Sequence, residues 1–147
     1  MRTTVHEPLD TMEDLRAGDV MTTDVVTVDP ATPVGAALTI MRRMGVRHLP
    51  VTDDAGCFLG LVDDRLVTRA LLSGGERELA LEQPVDDAMT RYVPQVAPDE
   101  GVARVSRLLR SSRCDAVVVV DEQDHLLGLI TLVDVVGAVG QVLAPRR

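Results

Sequence analysis

Apolar residues are spaced in two ways along this chain, and the two spacings alternate in the same order twice. Short valine-rich runs from Val25 to Val28 and from Val93 to Val96, each followed two residues later by a proline, predict β-strands. Apolar residues then recur at helical spacing from Val34 to Met44 and from Val102 to Leu109. Each half of the chain therefore begins with a predicted strand and an amphipathic helix.

Two more strands and a second helix follow in each half. Turn-forming residues separate the two strands, at Asp53 to Gly56 in the first half and at Asp121 to Asp124 in the second. The predicted strands are His48 to Thr52, Cys57 to Val62, Ala116 to Val120 and His125 to Ile130, and the predicted closing helices run from about Asp64 to Leu72 and from about Leu132 to Leu143. The order β-α-β-β-α is thus predicted twice.

The two halves are copies of one sequence unit. A shift of 68 residues aligns Asp19 to Val67 with Asp87 to Val135 without a gap, and 14 of the 49 aligned pairs are identical. A single unit of this size would leave one face of its sheet uncovered, which a second copy can cover. We therefore predict an α/β (α+β) fold in which two β-α-β-β-α repeats, related by a pseudo-twofold axis, pack into one module.

The repeat sets the predicted boundaries along the chain. We assign residues 16–72 to the first repeat and residues 84–143 to the second, with an N-terminal tail at 1–15 and a C-terminal tail at 144–147. Residues 73–83 contain glycines and charges and predict an exposed linker, in which Glu78 to Glu82 could form a helical turn.

Composition narrows the classes of partner. The net charge is -8, with 23 acidic against 15 basic side chains, which opposes binding to a phosphate backbone and predicts no nucleic-acid partner. The longest apolar runs fall far short of the roughly 20 residues that span a bilayer, and the polar start lacks a secretory signal, so no membrane association is expected. Cys57 and Cys114 follow no metal-binding spacing and are interpreted as reduced core thiols in a cytoplasmic protein.

The sequence contains no recognisable catalytic set. It has no glycine-rich phosphate loop, no His-x-x-x-His or Cys-x-x-Cys pair for a metal, and no serine or cysteine nucleophile with an evident base. Pairs of neighbouring aspartates lie at predicted turns or helix starts, where carboxylates are favoured locally. We therefore expect no catalytic residues, no metal site and no enzymatic activity.

The repeated motifs resemble those of the CBS (cystathionine-β-synthase) domain, whose tandem pair is called a Bateman module. One motif is Asp-Val-Met-Thr at Asp19 to Thr22, another is Gly-Leu-Ile-Thr-x-x-Asp at Gly128 to Asp134, and the resemblance covers about Arg16 to Val139. It implies one α/β body, frequent homodimers, and binding of AMP, ADP, ATP or S-adenosylmethionine in clefts between repeats. Many members regulate an attached enzyme or transporter. No attached domain is evident, so we expect a stand-alone homodimeric module.

The second repeat carries the stronger candidate for a ligand site. Thr131 stands where a strand becomes a helix, and Asp134 lies on the same side of the first helical turn. The resemblance implies that Thr131 contacts the phosphate of a nucleotide and that Asp134 contacts its ribose hydroxyls. The same two residues also fit an N-cap threonine and an aspartate favoured by the helix dipole, without any ligand.

Four more residues are candidates for contact with the adenine base. The resemblance implies an adenine slot formed by backbone groups near Val93, Pro94 and Val117. Tyr92 immediately precedes this segment. Its ring could stack on the base, or it could pack on the protein with a hydrated hydroxyl group.

The first repeat departs from the family pattern at both decisive positions. Asp63 replaces the threonine and Leu66 replaces the ribose-binding aspartate. A carboxylate repels phosphate and a leucine accepts no hydrogen bond, so we expect one competent nucleotide site per chain. Arg47 and His48 align by resemblance with residues that reach nucleotide phosphates, sometimes in a neighbouring subunit. They fit equally well a surface salt bridge and a histidine satisfied in the core.

These observations predict a regulatory module that binds AMP, ADP or ATP mainly through its second repeat and modulates an unidentified partner protein. The nucleotide would be a regulatory ligand and not an obligatory cofactor. Two alternatives stay open. One is a structural module that dimerises or recruits a partner while its clefts stay empty, and the other is a sensor of S-adenosylmethionine or of a metal ion held by Asp63.

Overall fold

The computed structural model describes residues 12–72 and 74–144. Most of the two predicted tails, and residue 73 of the predicted linker, lie outside the described residues. Within them the chain is a mixed α+β protein, as predicted. In chain order its elements are α1 (Ala17–Val20), α2 (Val34–Met44), β1 (His48–Thr52), β2 (Phe58–Asp63), α3 (Asp64–Leu72), α4 (Arg77–Glu82), β3 (Gln95–Val96), α5 (Val102–Ser111), β4 (Ala116–Val120), β5 (Leu126–Thr131) and α6 (Leu132–Leu143), with short 3-10 turns at Met12–Asp14 and Val85–Asp87.

The second half of each repeat follows the predicted pattern closely. Strands β1 and β4 and helices α3 and α6 have the predicted bounds, while β2 and β5 begin and end one residue later than predicted. In both repeats the last strand residue is followed directly by the helix, without a loop. The side chain of that last strand residue therefore lies at the helix N-terminus, where backbone N–H groups lack helical partners.

The predicted first strand of the first repeat, Val25 to Val28, is not formed. Only Val28 pairs, in parallel, with β1: its N–H donates to the carbonyl of Pro50 at 3.1 Å, and its carbonyl accepts from the N–H of Thr52 at 3.0 Å. In a parallel ladder the next bond, to the carbonyl of Val26, would come from the N–H of Pro50. Proline has no N–H, so the pairing stops after one residue.

The equivalent strand of the second repeat is shorter than predicted but present. It spans Gln95–Val96 and not Val93 to Val96, and it pairs in parallel with β4. Val118 stands where the first repeat has Pro50, and its N–H donates to the carbonyl of Pro94 at 2.9 Å. This donor allows the ladder to extend further in the second repeat than in the first.

Part of the predicted exposed linker is helical. Helix α4 spans Arg77–Glu82, one residue longer than the helical turn anticipated there, and none of its side chains is buried. It packs beside α2, where the carbonyl of Leu81 lies 3.3 Å from the position that a Cβ atom would take at Gly35. After the helix, the carbonyl of Gln83 accepts from the N–H of Val34 at 2.8 Å. The linker is therefore attached to α2 along its second half.

The described residues form two compact units. Unit 1 contains residues 12–23, 94–122 and 127–144, and unit 2 contains residues 24–72, 74–93 and 123–126. Each unit therefore combines most of one repeat with the opening segment of the other. The repeat boundaries themselves remain a prediction from the sequence.

Each unit has its own aliphatic core. The buried residues that pack into one cluster in unit 1 are Leu15, Ala17, Val20, Val96, Val102, Val105, Leu109, Val117, Val119, Ile130 and Val135. In unit 2 they are Val28, Val34, Ala37, Met41, Leu49, Val51, Val62, Val67 and Val85. Of the two cysteines expected in the core, Cys114 is buried, whereas Cys57 is only partly buried because it lies at a bridge outside the sheet, opposite His125.

Candidate ligand-binding site

The threonine of each Asp-x-Met-Thr segment pairs with a strand of the other repeat. In unit 1 the N–H of Thr22 donates to the carbonyl of Leu129 at 2.9 Å, and the N–H of Leu129 donates back to Thr22 at 3.1 Å. In unit 2 Thr90 and Leu61 exchange the same two bonds, both at 2.9 Å. The backbone of each threonine is thus fixed beside the strand that leads into the closing helix of its unit.

A glycine in each of these strands permits the close approach. A Cβ atom at Gly128 would lie 2.6 Å from the sulfur of Met21 and 2.9 Å from the carbonyl oxygen of Thr22. At Gly60 the corresponding methionine sulfur and threonine oxygen lie at 2.7 Å and 2.9 Å. A side chain does not fit at such distances, so close packing accounts for the repeated glycine without a ligand.

The two residues predicted to bind phosphate and ribose come together at the start of α6. Thr131 is the N-cap of this helix and Asp134 is its third residue, and the two form a capping box. The Oδ2 atom of Asp134 accepts from the backbone N–H of Thr131 at 2.8 Å and from its hydroxyl at 3.3 Å. Both side chains are partly exposed. The side-chain atoms that the family resemblance predicts to contact a ligand therefore cap the helix as well.

Thr22 is a third member of this cluster, which the sequence did not single out as a site residue. Its hydroxyl donates to the Oδ1 atom of Asp134 at 2.7 Å. The two residues are 112 positions apart in the chain. The available signal was the position of Thr22 in the repeated Asp-x-Met-Thr motif, but nothing local in the sequence pairs it with Asp134.

The candidates for the adenine slot are divided between the two units. Pro94 and Val117 belong to unit 1, where the side chain of Val117 is fully buried in the core, so only its backbone is available to a base. Tyr92 and Val93 belong to unit 2; Val93 is buried and Tyr92 is 93% exposed. The backbone N–H of Tyr92 donates to the hydroxyl of Thr90 at 3.2 Å. The ring of Tyr92 is thus not part of a core.

The first repeat builds a different helix start from its two divergent residues. Asp63, at the end of β2, accepts from the backbone N–H of Leu66 through Oδ1 at 2.7 Å, which caps α3. Its other oxygen lies 3.5 Å from Nη2 of Arg65, and the side chain of Asp63 is only 3% exposed. A carboxylate therefore occupies the anion position of this helix. Leu66 stands where the second repeat has Asp134, so position 66 offers no carboxylate to the hydroxyl of Thr90.

Arg47 and His48 are both in unit 2, at the start of β1. The guanidinium of Arg47 lies 3.3 Å from a carboxylate oxygen of Asp64, in an ion pair whose two side chains are 73% and 45% exposed. His48 is partly buried and stands opposite Asp63 in the antiparallel register of β1 and β2. The surface salt bridge considered for Arg47 is thus observed, and a role of either residue in phosphate binding stays a prediction.

An open groove of about 480 Å³ runs along α3 in unit 2. It is lined by Asp64, Arg65, Thr68, Arg69 and Leu72, and by none of the eight residues predicted to contact a nucleotide. Over the described part of the chain, no three His, Cys, Asp or Glu side chains are grouped so as to hold a metal ion. None of the helices in residues 12–72 and 74–144 is long and apolar enough to cross a membrane.

Comparison with known proteins identifies the repeat. The model of the CBS domain matches the chain twice, at residues 17–73 and 85–141. Among curated relatives, a homoserine O-acetyltransferase from Methanococcoides burtonii is 29% identical over 83% of this chain and 24% of the relative. The chain thus spans about a quarter of the length of the curated relatives it matches.

Solved structures match over nearly the whole chain. CBSX2, a CBS-pair protein from Arabidopsis thaliana solved in complex with AMP, is 28% identical, with a TM-score of 0.78 over 88% of this chain and 98% of that one. The CBS-domain containing protein ATU1752 from Agrobacterium tumefaciens is 28% identical, with a TM-score of 0.73 over 84% and 98% of the two chains. Both repeats are matched, and the chain therefore belongs to the CBS domain family, with two copies of the domain.

Proposed function

We propose that this chain is a regulatory module that binds an adenosine-containing ligand, AMP, ADP or ATP, mainly through its second repeat, and that binding modulates a partner protein. The observation that carries the proposal is the start of α6, where a threonine hydroxyl and a partly exposed carboxylate lie side by side. The similarity to CBSX2, which was solved with AMP, supports the ligand class. In this proposal the chain senses its ligand and carries out no reaction on it.

The chemistry of the second repeat suits a nucleotide. The carboxylate of Asp134 can accept hydrogen bonds from ribose hydroxyls, and the hydroxyl of Thr131 can donate to a phosphate oxygen. Helix α6 is 12 residues long, and the positive end of its dipole favours an anion near Thr131. Pro94 and Val117, in the same unit, would offer backbone groups to the base. Arg47, His48, Tyr92 and Val93 stay predictions from the family resemblance.

The first repeat supports the proposal by contrast. The buried carboxylate of Asp63 stands where the second repeat has a threonine hydroxyl, and it would repel a phosphate at the start of α3. We therefore propose one nucleotide per chain.

The proposal is tested by calorimetry of the whole chain with AMP, ADP, ATP and S-adenosylmethionine. We expect one of the three nucleotides to bind at one site per chain, and Asp134→Ala to weaken it at least tenfold. Asp29→Ala is the matched control, because it removes a carboxylate whose side-chain hydrogen bond, within the described residues, is with the N–H of Ala31 in a turn of unit 2. The chain has no Trp and one Tyr, so a co-purified nucleotide would dominate its ultraviolet spectrum.

If none of these four ligands binds to the wild type, the proposal is overturned. Undiminished affinity in Asp134→Ala would show that the ligand binds elsewhere.

A second candidate function, an interaction module that forms homodimers, is favoured by the surface of α6. Four large apolar side chains of this helix are exposed: Leu132, Val133, Val136 and Leu143. Gly137 and Gly140 lie on the same helix with nothing within 4 Å of their Cβ positions, so another backbone can approach closely there. Exposed apolar surface of this kind is typical of a protein interface. We propose a homodimer through α6, which is compatible with ligand binding.

A further inference from the structure

The carboxylate of Asp134 is nearly filled by donors from its own chain. A carboxylate offers about four lone-pair positions, two on each oxygen. Here Oδ2 accepts from the N–H and the hydroxyl of Thr131, at 2.8 Å and 3.3 Å, and Oδ1 accepts from the hydroxyl of Thr22 at 2.7 Å. One position on Oδ1 is therefore left, whereas the two vicinal hydroxyls of a ribose need two acceptors.

We propose that Thr22 is a positioning residue, which holds the carboxylate of Asp134 in the orientation that accepts from both hydroxyls of a ribose. The proposal rests on the proposed function. The bond at 3.3 Å from the hydroxyl of Thr131 is the longest of the three and the easiest to give up. When a phosphate takes this hydroxyl as a donor, a lone pair on Oδ2 is released. One acceptor is then open on each oxygen of Asp134.

Thr22 determines where those two acceptors point. The N–H of Thr131 fixes one end of the carboxylate through Oδ2, and the hydroxyl of Thr22 fixes the other end through Oδ1. The hydroxyl is itself held in place, because Thr22 exchanges two backbone hydrogen bonds with Leu129. Without Thr22 the carboxylate of Asp134 is fixed at one oxygen only and can rotate. If the plane of this carboxylate is not fixed, its binding to the two hydroxyls of a ribose weakens more than its binding to the single hydroxyl of a 2′-deoxyribose.

Unit 2 contains a natural control for this role. Thr90 occupies the same place in the second motif and exchanges the same two backbone bonds, with Leu61. The residue aligned with Asp134 is Leu66, so the hydroxyl of Thr90 meets no acid there and accepts instead from the N–H of Tyr92 at 3.2 Å. The two threonines thus share a backbone role and differ in what the hydroxyl does.

The test compares AMP with 2′-deoxy-AMP by calorimetry on the wild type, Thr22→Val, Thr22→Ser and Thr90→Val. One lost hydrogen bond corresponds to a roughly 3- to 10-fold loss of AMP affinity in Thr22→Val. In the same variant the affinity for 2′-deoxy-AMP falls less, so the ratio of the affinity for AMP to that for 2′-deoxy-AMP decreases. Thr22→Ser keeps the hydroxyl and restores the preference, and Thr90→Val leaves it unchanged. Melting temperatures of all four proteins separate these effects from loss of folding.

Each other outcome counts against the inference. An unchanged preference for AMP in Thr22→Val would assign Thr22 a structural role only, and tighter AMP binding would make its hydroxyl a competitor of the ribose. If Thr90→Val reduced the preference for AMP over 2′-deoxy-AMP as much as Thr22→Val does, the effect would be a general one on packing. The same comparison is made with ADP and ATP and their 2′-deoxy forms if AMP does not bind, and a wild type that binds none of the three would overturn the proposed function itself. That failure is distinct from failure of the role of Thr22 alone.

Discussion

Asp63 and Thr131 stand at the same position of the two repeats and both cap a helix. Asp63 accepts from the N–H of Leu66 at 2.7 Å, and Thr131 shares a capping box with Asp134. Either residue type is a favoured N-cap, so the exchange preserves the helix. What changes is the charge presented at the helix start. At this position the second repeat therefore has a neutral hydroxyl, whereas the first repeat has a buried carboxylate.

The cap of α3 gives a first prediction. Asp63→Ala removes the acceptor for the N–H of Leu66 in a buried place, and we expect the free energy of unfolding to fall by about 1 to 2 kcal/mol. Asp63→Thr retains an N-cap oxygen and should cost clearly less. Urea unfolding followed by circular dichroism measures both. Equal loss in the two variants would show that Arg65 and the charge, and not the cap, determine the contribution of Asp63.

The local pattern revealed some candidate site residues and concealed others. Thr131 and Asp134 could be singled out because they lie within four consecutive positions, where a strand becomes a helix, in a motif that resembles the CBS domain. Thr22 could not be assigned its partner, because Asp134 is 112 residues away and only the folded chain brings the two together. Likewise, the sequence allowed two roles for Arg47, a surface salt bridge and a contact with a phosphate. The structure has the salt bridge, with Asp64.

Among the elements, strands proved harder to predict than helices. The bounds of α3 and α6 follow from apolar spacing, which is a property of the helix alone. A strand depends on its partner as well. Val25 to Val28 has the composition of a strand, yet it does not form one. The N–H that would extend its pairing with β1 would come from position 50, which is a proline and has no N–H. In the second repeat Val118 supplies that donor, and the strand β3 forms.

The close contact between β5 and the first motif gives a second prediction. Gly128→Ala would place a Cβ atom 2.6 Å from the sulfur of Met21 and 2.9 Å from the carbonyl oxygen of Thr22, so we expect a loss of about 1 to 3 kcal/mol in unfolding free energy. Gly101→Ala, in the same unit, is the control, because its nearest neighbour is an Arg16 nitrogen at 3.6 Å. Chemical unfolding that gave equal stabilities for the two variants would contradict the packing assigned to Gly128.

The helix starts give a third prediction, which depends on the proposed function. Asp63→Thr combined with Leu66→Asp gives α3 the capping box of α6 and removes the buried carboxylate. We expect the number of nucleotides bound per chain to rise from one to two, because both positions at which the first repeat departs from the family pattern then have the residues of the second repeat. Titration calorimetry reads the stoichiometry, with Asp63→Thr alone as the control. A stoichiometry that stayed at one would show that other residues disable the first repeat.

At the scale of the whole molecule, the mixed α+β architecture and the presence of two repeats were predictable from the sequence. The division into compact units was not. Each unit takes its opening segment from one repeat and most of its strands and helices from the other. This exchange is invisible to a sequence alignment, because the two motifs are alike and each could pair with either copy of the strand.

The exposed face of α6 gives a fourth prediction. We expect the wild type to sediment at about twice the chain mass of 15.9 kDa at micromolar concentration, and Val136→Asp to sediment as a monomer, because it places a charge among exposed apolar side chains. Leu79→Asp, on α4, changes a similarly exposed leucine outside that face and should leave the mass unchanged. A monomeric wild type would refute the proposed dimer.

The composition of unit 1 also has a consequence for synthesis on the ribosome. Thr22 leaves the ribosome 112 residues before Asp134, and at about 5 to 20 residues per second the delay is roughly 6 to 22 seconds. Throughout that time the opening segment has no β5 to pair with, and Val20 lacks most of the core that finally buries it. The opening segment of the first repeat therefore cannot reach its final packing early in translation, and unit 1 becomes complete only when α6 has emerged.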